Sequence, residues 1–284
     1  MSWSEIELTV PNELTDAVSG ELSELGASGI WESSDPNSEQ TRLIAYFESP
    51  ADLDGITESL NAVFERAEEV PPFIECVSVA DRDWGELWKK SWSSFPLARR
   101  FFVIPSWSDS PCPPDRVPIR IDPGQAFGTG THETTQLTLQ AMEVWLEPRH
   151  IVLDLGTGSG ILAIGASLLG ARAVHACDDD PVAIEVAREN VERNSTSPIN
   201  LFCGSIDAVA AGAIGFIVCN LTAEVIAENF PEIRRVLRPR GIAVLSGILN
   251  SQSMGIRQQA VLHGLNLLAE TTRGEWCALV MRKQ

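Results

Sequence analysis

The chain has 284 residues, of which 44% are hydrophobic and 21% are charged, a composition typical of globular proteins rather than fibrous or disordered ones. This length allows two domains of common size. A formal net charge of −18 opposes binding to phosphate backbones and favours basic partners.

Residues 1–80 are predicted to form an acidic α+β domain. They hold 17 Asp and Glu residues but only two basic residues, Arg42 and Arg66. This charge makes the domain a candidate recognition surface for a basic partner, although a solubilising acidic surface is an equal alternative. Hydrophobic spacing gives the order strand, helix, strand, strand, helix, strand, which is typical of a ferredoxin-like domain. The predicted strands are 3–10, 29–31, 41–47 and 73–80, and the helical patterns are 11–26 and 53–63.

Residues 81–99 are predicted to form a linker helix. Trp84, Trp88 and Trp92 recur every four residues and therefore share one helix face. Such a stripe is more typical of packing between domains than of a surface for a ligand or a partner.

Residues 100–284 are predicted to form the second domain, an α/β domain. Two strand-like runs at 100–105 and 117–121 lead into the glycine-rich segment 122–131. Strands and helices then alternate, which indicates a parallel sheet with right-handed crossovers. The predicted strands are 151–155, 173–178, 200–203, 214–219 and 242–246, and the predicted helices are 161–169, 181–194, 224–237 and 252–262. Two further strands at 265–272 and 275–282 predict an antiparallel hairpin that completes a seven-stranded sheet.

A glycine-rich turn follows the first strand of this sheet. Residues 154–160 read Asp-Leu-Gly-Thr-Gly-Ser-Gly, and such glycines let the backbone approach a ligand at the carboxyl ends of the strands. Asp178 ends the next strand, where a carboxylate can accept both ribose hydroxyls of a nucleoside. Nicotinamide and flavin enzymes share this pair, but the GxGxG spacing, Asp154 before the first glycine, the terminal hairpin and Asn220 favour S-adenosylmethionine. The sequence thus predicts a Rossmann-like class I methyltransferase, with a purely structural glycine turn as the alternative.

Longer motifs go beyond this general pattern. They are Asp83-Trp84 with Trp88-Lys89, IDPGQAFGTGTHETT at 121–135, VLDLGTGSGILAIGA at 152–166, Asp178 to Pro181, Asn220-Leu-Thr-Ala223, LSGIL at 245–249, and Trp276. With these motifs the chain resembles the ribosomal protein L11 methyltransferases, the PrmA family, which modify a protein of the large ribosomal subunit. The resemblance covers about residues 81–284, whereas the acidic domain matches in position and predicted topology only. Glu133 and the pair Leu221-Thr222 depart from the family pattern.

The resemblance implies methylation of amino groups, at an N-terminal α-amine or at lysine ε-amines, of a basic ribosomal protein. The resemblance also implies that Asn220 positions the amine that accepts the methyl group. His132 is a candidate general base, with a loop-shaping hydrogen-bond donor as the alternative reading. The predicted cofactor contacts are Thr135, Gly156, Asp178 and Asn220, joined by Gly158 of the same turn.

Targeting and partner signals are sparse. Residues 1–10 lack a signal-peptide pattern, no apolar run is long enough to span a membrane, and six scattered cysteines indicate reduced core thiols. We therefore expect a cytoplasmic monomer without a metal, a membrane contact or direct nucleic-acid binding. The alternatives are a lysine methyltransferase for another protein, a nucleic-acid methyltransferase, and a non-catalytic module that binds the cofactor. Asn220-Leu-Thr-Ala223 lacks the aromatic residue that stacks a target base, which disfavours the nucleic-acid enzyme.

Overall fold

The computed structural model describes residues 3–27, 29–34, 40–48, 51–67, 69–72, 74–79, 93–122, 130–194 and 196–284. The chain divides into two compact units, Met1–Ser91 and Trp92–Gln284. Within the described ranges, no helix combines the length and the apolar character needed to cross a membrane. No His, Cys, Asp or Glu side chains in these ranges form a group that could hold a metal ion.

The first unit contains a four-stranded antiparallel sheet. Its strand order is β2-β3-β1-β4, and β1 pairs with both β3 and β4, so the predicted ferredoxin-like topology is confirmed. Ile6, Leu8 and Val10 alternate along β1 and are buried, as the period of two requires. The elements are β1 Trp3–Pro11, α1 Thr15–Glu24, β2 Gly29–Ser34, β3 Gln40–Glu48, α2 Leu53–Arg66 and β4 Glu75–Val79.

A small three-stranded sheet begins the described part of the second unit. It consists of β5 Phe95–Leu97, β6 Phe101–Ile104 and β7 Val117–Arg120, in that order. The strands predicted at 100–105 and 117–121 are therefore confirmed. The predicted linker helix covers residues 81–99. Its part up to residue 92, with the three tryptophans, lies outside the described residues. Its last part is wrong, because Phe95–Leu97 is a strand. There Phe95 precedes a proline, which favours extended backbone, and Leu97 is fully buried as a strand residue.

A seven-stranded sheet forms the core of the second unit. Its order is β10-β9-β8-β11-β12-β14-β13, and all neighbouring pairs are parallel except those made by β14. The predicted Rossmann-like methyltransferase sheet with its terminal hairpin is confirmed. Central strand β11 is buried on both faces, which explains its continuous hydrophobic run. The strands are β8 Ile151–Leu155, β9 Ala173–Asp178, β10 Ile199–Cys203, β11 Ile214–Asn220, β12 Leu237–Leu249, β13 Leu265–Arg273 and β14 Trp276–Lys283.

The helices of this unit differ from the prediction at two places, since α3 (Glu133–Trp145) was not among the predicted helices and one predicted helix is divided. The single helix predicted over 224–237 is two short helices separated at Asn229, because Pro231 lacks the backbone N–H that a continuous helix needs. Strand β12 then begins at Leu237, five residues earlier than predicted. The described helices are α3 Glu133–Trp145, α4 Ile161–Leu168, α5 Pro181–Glu192, α6 Ala223–Glu228, α7 Phe230–Val236 and α8 Ser253–Leu262.

Five of the six cysteines are described as free thiols, namely Cys112, Cys177, Cys203, Cys219 and Cys277. Cys177, Cys219 and Cys277 are buried, as predicted for core thiols. Cys203 is exposed and Cys112 is half-buried, so the core prediction is wrong for these two, which lie at the end of a strand and in a loop.

Candidate functional site

A cavity of about 390 Å³ lies at the carboxyl ends of the parallel strands. All six residues predicted for the cofactor and the chemistry line it, namely His132, Thr135, Gly156, Gly158, Asp178 and Asn220. A second cavity of about 220 Å³ shares Gly156, Asp178 and Leu221 with the first. The sheet produces this convergence because parallel strands end at one edge, where their loops meet.

Gly156 turns the chain immediately after strand β8. Its φ of +73° lies in the left-handed region, which side chains other than glycine rarely adopt. A Cβ at this position would overlap the Leu221 side chain, with the Leu221 Cγ only 2.9 Å away. The turn therefore requires glycine for its conformation, and a Cβ would in addition force the Leu221 side chain to shift.

The Asp178 carboxylate connects the end of β9 to the glycine turn. Its Oδ2 accepts a hydrogen bond from the Gly158 N–H at 2.9 Å, and its Oδ1 accepts one from the Asp180 N–H at 3.2 Å. An ionised carboxylate offers about four acceptor positions. Two positions therefore remain for hydroxyl groups of a ligand.

Asp154 is a buried residue whose structural role the sequence analysis missed. Its Oδ2 accepts hydrogen bonds from Thr157 Oγ1 at 2.7 Å and from the Ala163 N–H at 3.0 Å, which fixes the glycine turn to the start of α4. Burial raises the pKa of the Asp154 carboxyl to about 7. Oδ1 has no hydrogen-bond partner among the described residues. The carboxyl therefore stays protonated up to a higher pH than an exposed carboxyl does.

Two further buried polar atoms in the cavity wall lack partners within the described structure. They are Oγ1 of Thr135, in the first turn of α3, and Oδ1 of Asn220, at the end of β11. A buried acceptor or donor left without a partner costs about 1–3 kcal/mol. The pair therefore fits a ligand that supplies hydrogen-bonding groups at both places.

His132 is the N-cap of helix α3. Its Nδ1 accepts a hydrogen bond from the Thr134 N–H at 3.3 Å and lies 2.8 Å from Thr134 Oγ1, which satisfies a backbone donor that the helix itself leaves free. A neutral ring that accepts at Nδ1 carries its proton on Nε2. His132 therefore shapes the start of helix α3 as an acceptor at Nδ1, and the predicted loop-shaping donation stays a prediction, because residues 123–129 of the loop lie outside the described residues. Its ring meets that of Trp276 edge to face, with centroids 5.0 Å apart.

Other cavity residues gave weaker sequence signals or none. Leu221, Thr222 and Trp276 line the cavity and were noted only as parts of motifs. Thr134 and Gly247 also line it, and they too were noted only as parts of motifs, at 121–135 and 245–249. Of the glycine-rich segment 122–131, residues 123–129 lie outside the described residues.

Comparison with known proteins finds one matching family, with relatives over the whole chain. The family model "Ribosomal protein L11 methyltransferase (PrmA)" matches residues 2–284. The ribosomal protein L11 methyltransferase of Thermoanaerobacter pseudethanolicus is 32% identical over 312 aligned residues that cover all of both chains. That of Pelobacter propionicus is 34% identical over 309, covering 99% of this chain and 97% of the relative. The crystal structure of ribosomal protein L11 methylase from Lactobacillus delbrueckii subsp. bulgaricus is 34% identical, with a TM-score of 0.63, and the match covers 68% of this chain and 100% of that one.

Proposed function

The chain belongs to the ribosomal protein L11 methyltransferase family, and we propose that its methyl acceptors are amino groups of ribosomal protein L11. Family and fold make it an S-adenosylmethionine-dependent methyltransferase. The observation that carries the proposal is the cavity in which Asp178 retains free acceptor positions and Asn220 holds a buried oxygen that has no partner among the described residues. The substrate class agrees with the chain's strong negative charge, which attracts basic proteins and repels nucleic acid.

The residues present fit the cofactor. Asp178 would accept the two ribose hydroxyls, since the backbone uses only two of its acceptor positions. Because Asp178 lines both cavities, the two ends of the cofactor would lie in different cavities, one end in each. Thr135 would hydrogen-bond to the methionine end. Gly156 and Gly158 would let the backbone approach the cofactor without steric hindrance.

The chemistry requires a neutral amine held in line with the methyl group. S-adenosylmethionine supplies the methyl group already activated as a sulfonium. The Asn220 Oδ1 would accept an N–H of the amine and so direct the nitrogen lone pair. An α-amine with a pKa of about 7.7–8.0 is substantially neutral at working pH, whereas a lysine near 10.4 must first be desolvated or deprotonated. We assign no base role to His132, because its Nδ1 caps the helix.

The function is tested by mass measurement of the acceptor. Purified ribosomal protein L11 incubated with the chain and S-adenosylmethionine should gain mass in whole methylene units, and peptide mapping should locate the gains at amino groups. An unrelated basic protein and an RNA serve as control substrates. Methylation of either control instead of L11 would contradict the substrate assignment. If the chain bound S-adenosylmethionine but transferred no methyl group to any of these substrates, it would be a non-catalytic module that binds the cofactor.

We further propose that the acidic unit recognises the basic substrate protein. Asp54, Glu58 and Glu65 are exposed along helix α2. Of the two basic residues in residues 1–80, Arg42 already makes a bidentate pair with Glu7, at 2.5 and 2.6 Å. This pair lowers the Glu7 pKa and leaves the unit with little positive charge to oppose a cationic partner.

A charge-reversal triple variant tests this recognition. Asp54→Lys, Glu58→Lys and Glu65→Lys together should raise the KM for intact L11 by at least about tenfold and weaken its salt dependence, because surface charges steer association. The kcat should stay unchanged. The matched control reverses Glu185, Glu189 and Glu192, which are exposed on helix α5, and so alters net charge equally. If the two triple variants had equal effects on the KM, net charge alone would explain the binding of L11, and the acidic unit would have no specific role in recognition.

A further inference from the structure

Asn190 is a polar residue buried inside the second unit. It lies on helix α5 with 1% of its surface exposed, and the described walls of the two cavities do not include it. A buried amide is stable only where its N–H groups and its carbonyl oxygen find partners. The partners of the Asn190 side chain therefore show which parts of the structure it connects.

The Asn190 amide joins two segments that are distant in sequence. Its Nδ2 donates a hydrogen bond to the Ser159 carbonyl oxygen at 2.9 Å, and its Oδ1 accepts one from the Asp122 N–H at 3.0 Å. One partner is an acceptor and the other is a donor, so the two hydrogen bonds fix the orientation of the amide. Ser159 belongs to the glycine turn, whereas Asp122 begins the glycine-rich segment 122–131, which leads to helix α3.

Both joined parts of the chain contribute to the cavity wall. Residues from the turn and the start of α4 line it, as do residues at the start of α3, namely Gly156, Gly158, Ile161, His132, Thr134 and Thr135. The two parts also meet at Gly130, where an added Cβ would lie 3.0 Å from Ile161 Cδ1. Helix α5 packs against the turn, since a Cβ at Gly160 would lie 3.2 Å from the Ala187 Cβ. Asn190 follows Ala187 by about one helical turn and adds polar contacts to this packing.

We propose that Asn190 is a positioning residue for S-adenosylmethionine binding. Its amide holds the glycine turn and Asp122 in one arrangement before the cofactor binds. A buried residue that supports a binding site in this way raises affinity, because less of the site has to be ordered on binding. The inference rests on the proposed function, since it concerns the cavity assigned to the cofactor.

Loss of the Asn190 amide should lower the fraction of molecules whose site is ready for the cofactor. The apparent dissociation constant rises in inverse proportion to that fraction. Saturating S-adenosylmethionine should restore the arrangement, because a ligand shifts the population toward the state that it binds more tightly. A raised KM for the cofactor with a nearly unchanged kcat is therefore the signature of the positioning role.

The decisive comparison is Asn190→Ala against Asn194→Ala. Asn194 holds the end of β7 without reaching the glycine turn, since its Oδ1 accepts from the Arg120 N–H at 2.8 Å and its Nδ2 donates to the Arg120 carbonyl oxygen at 2.6 Å. In calorimetry, Asn190→Ala should weaken S-adenosylmethionine binding by about tenfold or more, as expected for the loss of two hydrogen bonds. Its kcat at saturating cofactor should stay within about threefold of that of the unmodified chain. Asn194→Ala should change the affinity by less than about threefold, which is less than one typical hydrogen bond contributes.

Three outcomes overturn the proposal. They are an unchanged affinity in Asn190→Ala, an equal loss of affinity in Asn194→Ala, and a loss of kcat that saturating cofactor does not restore. The first two would leave Asn190 as a structural contact of helix α5, and the third would mean that the site is not recovered by its ligand. If the unmodified chain did not bind S-adenosylmethionine, the assignment of the cavity to the cofactor would fail instead.

If Asn190→Ala does not fold, Asn190→Asp decides. A protonated carboxyl provides a donor and an acceptor as the amide does, whereas a carboxylate has acceptors only and would face the Ser159 carbonyl oxygen. The affinity of this variant for S-adenosylmethionine, relative to the unmodified chain, should therefore rise as the pH falls. Arg193, with Nη1 3.5 Å from Asn190 Oδ1, would lower the pH of this change, and the Asp122 carboxylate would raise it. A relative affinity that does not depend on pH would refute the inference.

Discussion

Replacing Asp178 with alanine should weaken S-adenosylmethionine binding by at least about 10²-fold, because two hydrogen bonds to a charged acceptor contribute about 1.5–3 kcal/mol each. The structure adds a second reason, since the same carboxylate holds the Gly158 N–H. Without it the glycine turn loses its connection to the end of β9. Both effects act on cofactor binding before any chemistry occurs.

Calorimetric titration with S-adenosylmethionine measures this loss directly. Asp115→Ala is the matched control, since Asp115 is an exposed aspartate in the loop between β6 and β7 and its removal changes net charge equally. Asp178→Asn should also bind poorly, because an amide NH2 would face one of the two backbone N–H donors. An Asp178→Ala affinity within about threefold of the unmodified chain is less than one such hydrogen bond contributes and would refute the ribose assignment.

The fold was predictable from the local hydrophobic pattern of the sequence wherever that pattern matched the burial of the residues in the folded protein. Alternation in β1 and the apolar run of β11 each reflect which faces are buried, and both strands were predicted. The break at Asn229 was missed because the helical spacing continues through Pro231, and only the lost N–H separates the two helices. Phe95–Leu97 was assigned to a helix because the preceding tryptophan spacing was extended too far along the chain.

The site was predictable where strand ends supply the residues. Asp178 and Asn220 each end a parallel strand, and such ends converge whatever the details of packing. The N-cap role of His132 and the burial of Asp154 depend on local geometry that spacing does not encode. Asn190 was missed because its contacts are with Asp122 and Ser159, which are distant in sequence.

Replacing Asn220 with alanine should lower the rate of methyl transfer about 10²- to 10³-fold, because the amine loses the acceptor that directs its lone pair. The observation behind this expectation is the buried Oδ1, which has no partner in the described part of the chain. The affinity for S-adenosylmethionine should fall by less than about tenfold, which corresponds to the loss of roughly one neutral hydrogen bond. Single-turnover rates with L11 and calorimetry separate the two effects. Asn266→Ala, at an exposed position on β13, is the control.

Asn220→Asp distinguishes orientation from charge stabilisation. A carboxylate keeps an acceptor in place, but it also stabilises the ammonium form of a nearby amine and so raises the amine pKa. The ammonium has no lone pair to attack the methyl group, so the variant should be slow at neutral pH and recover as the pH rises. Its pH–rate profile should therefore lie at higher pH than that of the unmodified chain. An unshifted profile at full rate would mean that the amine is not held at Asn220, and the acceptor site would then have to be sought along another wall of the cavity.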